Sequence, residues 1–258
     1  MPDDWGAIAR IYDLEHPACR GAELAFWHRL AAAGGGATLE LASGSGRVAM
    51  ALARKGHHVT GLELSERMLA RARARTARLP DAVRARLRWI QGDMAAFELP
   101  GQRFTLVFVA YNSFWLLTDP ARQAACLRCA ARHLAVGGRL ALDLFPPNAF
   151  DYQDETGLAQ YLAVPLRGRR VVRLKDYAYD RTTQVATSTV RYYARSRRDP
   201  AAADLLATFC YRLRLAPPPE VVALLEATGF ALEATYGGYG GEPLTPDAPR
   251  AIYVARCA

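Results

Sequence analysis

Lysine is almost missing from this chain: Lys55 and Lys175 are its two lysines among 33 basic side chains, so the formal charge of +8 is an arginine charge. An excess carried by one residue type along the whole sequence reads as compositional bias. Arg67, Arg71, Arg73, Arg75, Arg78, Arg84, Arg86 and Arg88 do cluster, but no aromatic residues are interleaved with them to stack on bases. A solvated helix face is expected there, and nucleic acid is disfavoured as a partner. Long apolar runs are also missing, and residues 1–9 hold Asp3, Asp4 and Trp5. Neither a secretory signal nor a membrane span is therefore expected. The five cysteines, an odd number scattered from Cys19 to Cys257, exclude a disulfide framework and suit a reduced, cytoplasmic protein. Cys126 and Cys129 form a C-x-x-C inside a helical pattern with no second ligand pair, so they read as core thiols, and no metal is expected. His133, on the last turn of that helix, reads as structural.

What is present is one organised stretch, Thr38 to Ala74 (TLELASGSGRVAMALARKGHHVTGLELSERMLARARA). Leu39 and Leu41 give a short strand, and Gly44, Ser45 and Gly46 break it where a strand must turn into a helix. Glycines there tolerate positive φ and let a ligand approach the backbone. Val48, Ala49, Leu52 and Ala53 recur at helical spacing, and Gly56 stops the helix. Val59 and Leu62 mark a second strand ending at Glu63, an acid able to accept the ribose hydroxyls of a nucleoside lying across the first turn. Gly44, Gly46 and Ala49 satisfy a G-x-G-x-x-A dinucleotide pattern, which keeps a nicotinamide oxidoreductase open. Glu40, just before the glycines, tilts the choice. A pyrophosphate would meet a like charge there, whereas the cationic methionine end of S-adenosylmethionine would meet an opposite one.

On these residues the chain resembles the class I S-adenosylmethionine-dependent methyltransferases, in their small-molecule branch. ELASGSG matches that family's acid-x-Gly-x-Gly-x-Gly turn, with Ala42 in place of the first glycine. The resemblance implies S-adenosylmethionine as cofactor, Glu63 on its ribose, Leu64 and Met68 flanking its adenine, and Asp93, from Gly92-Asp93-Met94, on the adenine amino group. Met94 and Ala110 complete the implied cofactor set. An N-terminal Tyr-Asp in that family lies in a helix closing over the methionine end, a role carried onto Tyr12, with Asp13 and Arg20 as weaker candidates.

Beyond that stretch, Leu87–Gln91 and Phe104–Tyr111 read as the third and fourth strands, the latter apolar enough to be buried on both faces. Ligands bind beyond the carboxyl ends of such strands, so Tyr111, Asn112, Phe114 and Trp115 should border the reacting centre. Asn112-Ser113-Phe114-Trp115 lacks the prolines of the tetrad found in base-methylating amino-methyltransferases, and Pro146-Pro147 falls after the next strand. Pro120–Leu134 reads as a helix and Arg139–Phe145 as the fifth strand. From Phe150 to Ala216 the apolar period becomes two, which predicts three or more antiparallel strands. A helix at Pro219–Ala227 and two closing strands, LEATYG and AIYVARC, follow.

The expected fold is a single α/β domain over 1–258. It has a doubly wound, mostly parallel Rossmann-like sheet, an antiparallel C-terminal strand, a helical cap over 1–33 and an inserted antiparallel β lid over 150–216. The expected function is methyl transfer to nitrogen or oxygen of a small molecule by in-line displacement. Tyr12 and Asn112 position the acceptor, and Tyr111, Phe114, Trp115, Phe145 and Tyr236 shape its pocket. An oxidoreductase, an RNA methyltransferase and a non-catalytic cofactor-binding subunit stay open beside it, as does a homodimer.

Overall fold

The computed structural model describes residues 4–16, 18–145, 155–166, 169–195 and 203–257. Pro146 and Pro147 lie outside them. Two helices, α1 (Asp4–Glu15) and α2 (Gly21–Gly34), precede the alternating part. That part runs β1 (Thr38–Leu41), α3 (Arg47–Arg54), β2 (Val59–Glu63), α4 (Glu66–Thr76), α5 (Asp81–Arg84), β3 (Leu87–Gln91) and β4 (Phe104–Val109). It continues through a 3-10 turn (Ser113–Leu116), α6 (Pro120–His133) and β5 (Leu134–Leu144). Four strands, β6 (Glu155–Leu166), β7 (Arg169–Asp180), β8 (Val185–Arg195) and β9 (Ala203–Arg214), then interrupt the pattern before α7 (Pro218–Ala227), β10 (Phe230–Tyr236) and β11 (Ala251–Cys257).

The main sheet has the order β10-β11-β5-β4-β1-β2-β3. β11 runs antiparallel to both neighbours, while β1 to β5 pair in parallel. The sequence explains why β4 is central: Leu106 and Phe108 enter one apolar cluster and Val107 and Val109 the other. A strand covered on both faces needs apolar residues at every position. On the second face α2 buries Phe26 and Trp27 completely, with the Trp27 ring 4.5 Å from Phe108. α4 starts at Ser65, whose hydroxyl accepts the Met68 N–H at 3.2 Å, and α6 starts at Asp119, which accepts the Ala121 N–H at 2.8 Å. Such caps satisfy amides that the first turn leaves without a partner. The chain order reverses between β1 and β4, which opens a crevice at their carboxyl ends.

The fifth strand begins at Leu134 and not at Arg139. Leu134 pairs with Phe104 across a register shift, so the strand starts directly where α6 ends. The inserted lid is a four-stranded antiparallel sheet, β6-β7-β8-β9. It is tied to the body at the end of β9, where the buried Arg214 donates to Gln123 and Gln184, both at 2.8 Å, and pairs with Glu220.

Candidate active site

Three strand ends and one helix form a cavity of about 320 Å³ beneath the lid. At the β1 end the turn contains Ala42, Gly44 and Gly46 at φ of 52°, 57° and 80°. A side chain at Gly46 would strike Trp89 at 2.4 Å, while Gly44 opens on the cavity with Met68 Cε 4.0 Å from where a Cβ would stand. Glu63 spans the two strand ends, accepting the Gly44 N–H at 2.8 Å and the Ser65 N–H at 2.9 Å. The turn's backbone therefore holds the carboxylate at the cavity wall, where a diol could meet it. Glu40 lies deeper, 4% exposed, and accepts the Ala49 N–H at 2.9 Å. Burial pushes its carboxyl up to about 8 despite the opposing pull of Arg47. Arg47 is itself held by Glu23 through two bonds of 2.6 and 2.7 Å.

At the β4 end, Tyr111 and Asn112 both adopt left-handed backbone conformations, φ 54° and 68°. Two such residues in succession cost on the order of 1 kcal/mol each and persist only where neighbours enforce them. Asp143, with no exposed surface, does so. Its carboxylate accepts the Tyr111 N–H at 2.8 Å, the Tyr239 hydroxyl at 2.7 Å and Arg250 Nε at 2.7 Å, and its carbonyl accepts the Asn112 N–H at 2.8 Å. Arg250 in turn stacks over Phe145 at 4.6 Å and Tyr111 at 5.5 Å. Asn112 lines the cavity, while its Oδ1 is closed off from that space, buried and without a hydrogen-bond partner.

Helix α1 closes the third side. Asp13 joins it to the body, accepting from Ser45 Oγ at 2.5 Å and Arg75 at 2.8 Å and pairing with Arg71. Glu15 joins it to the lid, accepting the Tyr192 hydroxyl at 2.5 Å and pairing with Arg173. Between these anchors Tyr12 and His16 line the cavity, their rings 4.3 Å apart, and His16 meets Tyr111 edge-on at 5.0 Å. Burial lowers His16 to about 4, so its imidazole is neutral at physiological pH. Burial raises the Tyr12 phenol, which keeps its proton. Among the described residues no group of three His, Cys, Asp or Glu side chains could hold a metal.

Residues 38–138 match a methyltransferase domain model. The CcbJ methyltransferase from Streptomyces caelestis superposes with a TM-score of 0.79 at 29% identity, over 99% of this chain and 98% of that one. CalS10, an amino pentose methyltransferase from Micromonospora echinaspora solved with S-adenosylmethionine bound, superposes with a TM-score of 0.72 at 25% identity, over 96% and 95% of the chains. The chain is an S-adenosylmethionine-dependent methyltransferase. The cypemycin N-terminal methyltransferase of a Streptomyces species is similar too, 29% identical over 211 residues, 82% of this chain and 79% of that protein. With all three relatives transferring methyl groups, the oxidoreductase and non-catalytic readings of the glycine turn are not favoured.

Within this methyltransferase some of the expected site residues line the cavity and others do not. Tyr12, Ala42, Gly44, Glu63, Met68, Tyr111, Asn112 and Phe145 all line the cavity. Glu40 and Gly46 shape the turn from behind. Leu64 is 64% exposed just past the end of β2, whereas Met94 and Ala110 are buried in the two cores. Asp93 sits beyond β3 with one oxygen on the Ala95 N–H at 2.9 Å and the other on Arg122 at 2.6 Å. Four more expected residues are also absent from the cavity wall. Phe114 and Trp115 are wholly buried in the core, Tyr236 packs edge-on against Phe26 at 5.6 Å, and Arg20 is exposed ahead of α2. Two of the clustered arginines also depart from the solvated face expected of them, since Arg71 and Arg75 grip Asp13. His133 and Cys129 are core residues: His133 accepts the Leu99 N–H at 2.9 Å through Nε2, with Nδ1 2.8 Å from the Cys129 carbonyl. His16, Glu15 and Arg173 were not singled out in the sequence, and only the helical spacing of His16 from Tyr12 could have pointed to any of them.

Proposed function

We propose that this methyltransferase N-methylates an amine of a small molecule, and Asn112 Oδ1 carries the proposal. A buried carbonyl oxygen with no partner costs roughly 1–3 kcal/mol; closed off from the open space of the cavity, it gains a partner once the Asn112 side chain turns toward an N–H held there. Bound S-adenosylmethionine supplies a methyl group already activated by a positively charged sulfur. Ala42, Gly44, Glu63, Met68 and the exposed Leu64 would hold it, since the turn is open to a ligand and Glu63 is fixed by two amides. The protein's share is alignment and exclusion of water, and alignment alone can supply most of the acceleration. Asn112 accepts one N–H and so turns the nitrogen lone pair away from itself. Neutral His16 adds no second positive charge beside a cationic methyl donor. The Tyr12 phenol keeps its proton and forms a wall, not a base. The amine attacks in its neutral form, having left its proton in water before entering, so no base is needed within the cavity; the methylated ammonium sheds its proton in water after release.

The relatives support an amine acceptor, since one acts on an amino pentose and another on a peptide N-terminus. The test offers a panel of primary amines and matched alcohols with S-adenosylmethionine. N-methyl products are expected, and products methylated on oxygen alone would overturn the proposal. Asn112→Gly removes the carbonyl while tolerating φ 68°. It should lower kcat/KM about 10- to 100-fold, equivalent to roughly 1.4–2.7 kcal/mol, with S-adenosylhomocysteine affinity unchanged.

We also place the enzyme in the cytoplasm, because all five cysteines are free; no helix of the described residues is long and apolar enough to cross a membrane. A homodimer is proposed on Leu205 and Leu206, 56% and 37% exposed on β9, and sedimentation would decide it.

A further inference from the structure

The lid packs against two different partners along its length. Near the β7–β8 turn, Tyr177 and Ala186 belong to the core cluster of the body, together with Leu215 just past β9. Farther along the same strands, Val171, Val190, Tyr192 and Phe209 form a separate cluster with Ile8 and Ile11 of α1, and that cluster holds no residue of the body. The lid is thus rooted in the body at the end where Arg214 ties it, and it carries α1 at the other. The join to α1 is dry. Ile8 is 1% and Val190 2% exposed, and the Trp5 ring lies 4.5 Å from Phe209.

Contact between α1 and the body is of another kind. Among the described residues, the side-chain hydrogen bonds from α1 to the body are all made by Asp13, which accepts from Ser45 Oγ at 2.5 Å and Arg75 at 2.8 Å and pairs with Arg71. Arg75 reaches past it to the Ser45 hydroxyl and carbonyl, at 2.8 and 3.2 Å. Ser45 stands between Gly44 and Gly46, so the carboxylate that holds α1 down also grips the cofactor turn. The Arg71 and Arg75 side chains are 31% and 32% exposed, which lets water and salt reach the contact. Several sealed apolar side chains outweigh ion pairs that water reaches, so opening parts α1 from α4 and leaves it on the lid. Lifting α1 removes the cavity wall formed by Tyr12 and His16.

We infer that the lid and α1 move as one unit rooted at the Arg214 end, and that Asp13 is the positioning residue that latches this unit over the glycine turn. Cofactor enters and leaves when the contacts of Asp13 part.

Stopped-flow mixing of the full chain with S-adenosylhomocysteine, read by tryptophan fluorescence, gives the association and dissociation rate constants. This ligand carries one positive and one negative charge at neutral pH, so long-range steering contributes little to either constant. Entry and exit share the same opening. Weakening a latch therefore raises both constants together and leaves their ratio nearly unchanged, whereas losing a direct contact with the ligand raises dissociation alone. Asp13→Asn keeps the size of the side chain and removes its charge. It should raise both constants about tenfold, with Kd kept within about threefold. Raising salt from about 0.05 to about 0.5 M should speed both in the wild type by roughly twofold or more, and leave the variant unchanged. Arg71→Gln removes one arm of the latch and should raise both by roughly twofold or more, which covers the case in which Asp13→Asn fails to fold. An association constant that stays level or falls in either folded variant overturns the inference. So does dissociation that rises alone, or a wild type whose rates ignore salt.

Discussion

Cofactor binding should release a proton, and Glu40 should be its source. The carboxyl is buried and titrates at about 8, so at pH 7 roughly 0.9 of the molecules carry a proton there, by the tenfold-per-unit relation between pH and ionisation. A cationic methionine end settling near that carboxyl favours its charged form. Were its value drawn back toward the ordinary carboxylate range, nearly all of the ~0.9 proton would leave at pH 7 but only ~0.1 at pH 9, where Glu40 is already ionised. Calorimetry of S-adenosylmethionine binding in phosphate and in Tris, whose ionisation heats differ, counts those protons. Glu40→Gln supplies the baseline, because it removes the titrating group and leaves any contribution from the ligand's own amine. A wild-type count within ~0.2 proton of the variant's at pH 7 would refute the reasoning and detach Glu40 from the cofactor. The same shift makes a second statement without ligand. Folding raises this acid's value, so the native state keeps a proton that the unfolded chain sheds above about pH 4.5, and stability should decline as pH rises from there to about 8. Glu40→Gln should flatten that decline.

Asp143→Ala leaves the Arg250 guanidinium buried, 9% exposed in its side chain, without its counter-charge. A loss of about 3–5 kcal/mol is expected, or roughly 6–20 °C in Tm for a chain of this size, and calorimetry showing less than ~2 °C would exclude Asp143 as the anchor of the β4 loop. Ala42→Gly relieves a left-handed alanine, φ 52°, worth about 1–2 kcal/mol. Against this stands about 0.5–1 kcal/mol of added unfolded-chain entropy, so Tm should hold or rise by up to ~6 °C, and a fall of more than ~2 °C would contradict the strain.

The parts of the site legible in the sequence were those fixed by neighbours a few residues apart. The glycine turn announces itself because positive φ selects residue types locally, and the positions after β1, β2 and β4 follow from where apolar runs end. What lies inside a short irregular segment was not legible. Phe114 and Trp115 follow β4 directly and are aromatic, yet the segment Ser113–Leu116 is a 3-10 turn. Residues three apart share a face in such a turn, and the face toward the cavity is the one with Ser113 and Leu116. The aromatic pair is thereby rotated into the core. Long-range charge pairing was equally hidden. Arg75 meets Asp13 across 62 residues and Tyr192 meets Glu15 across 177, and no local pattern records which of 31 arginines takes which acid.

Helix α1 shows how one short stretch can be half readable. Trp5, Ile8, Tyr12, Glu15 and His16 all line the cavity, at the spacing of one helical stripe. Tyr12 could be placed by resemblance, but the rest of the stripe could not be told from an ordinary apolar face until the lid appeared opposite it. Asp13 and Glu15, two positions apart, are separated by about 200° around the axis. One acid therefore grips Ser45, Arg71 and Arg75 on the body while the other grips Arg173 and Tyr192 on the lid. A helix anchored on opposite sides by two acids two residues apart cannot turn about its axis without breaking one set, so the orientation of Tyr12 and His16 toward the reacting centre is fixed by charges that the cavity itself does not use.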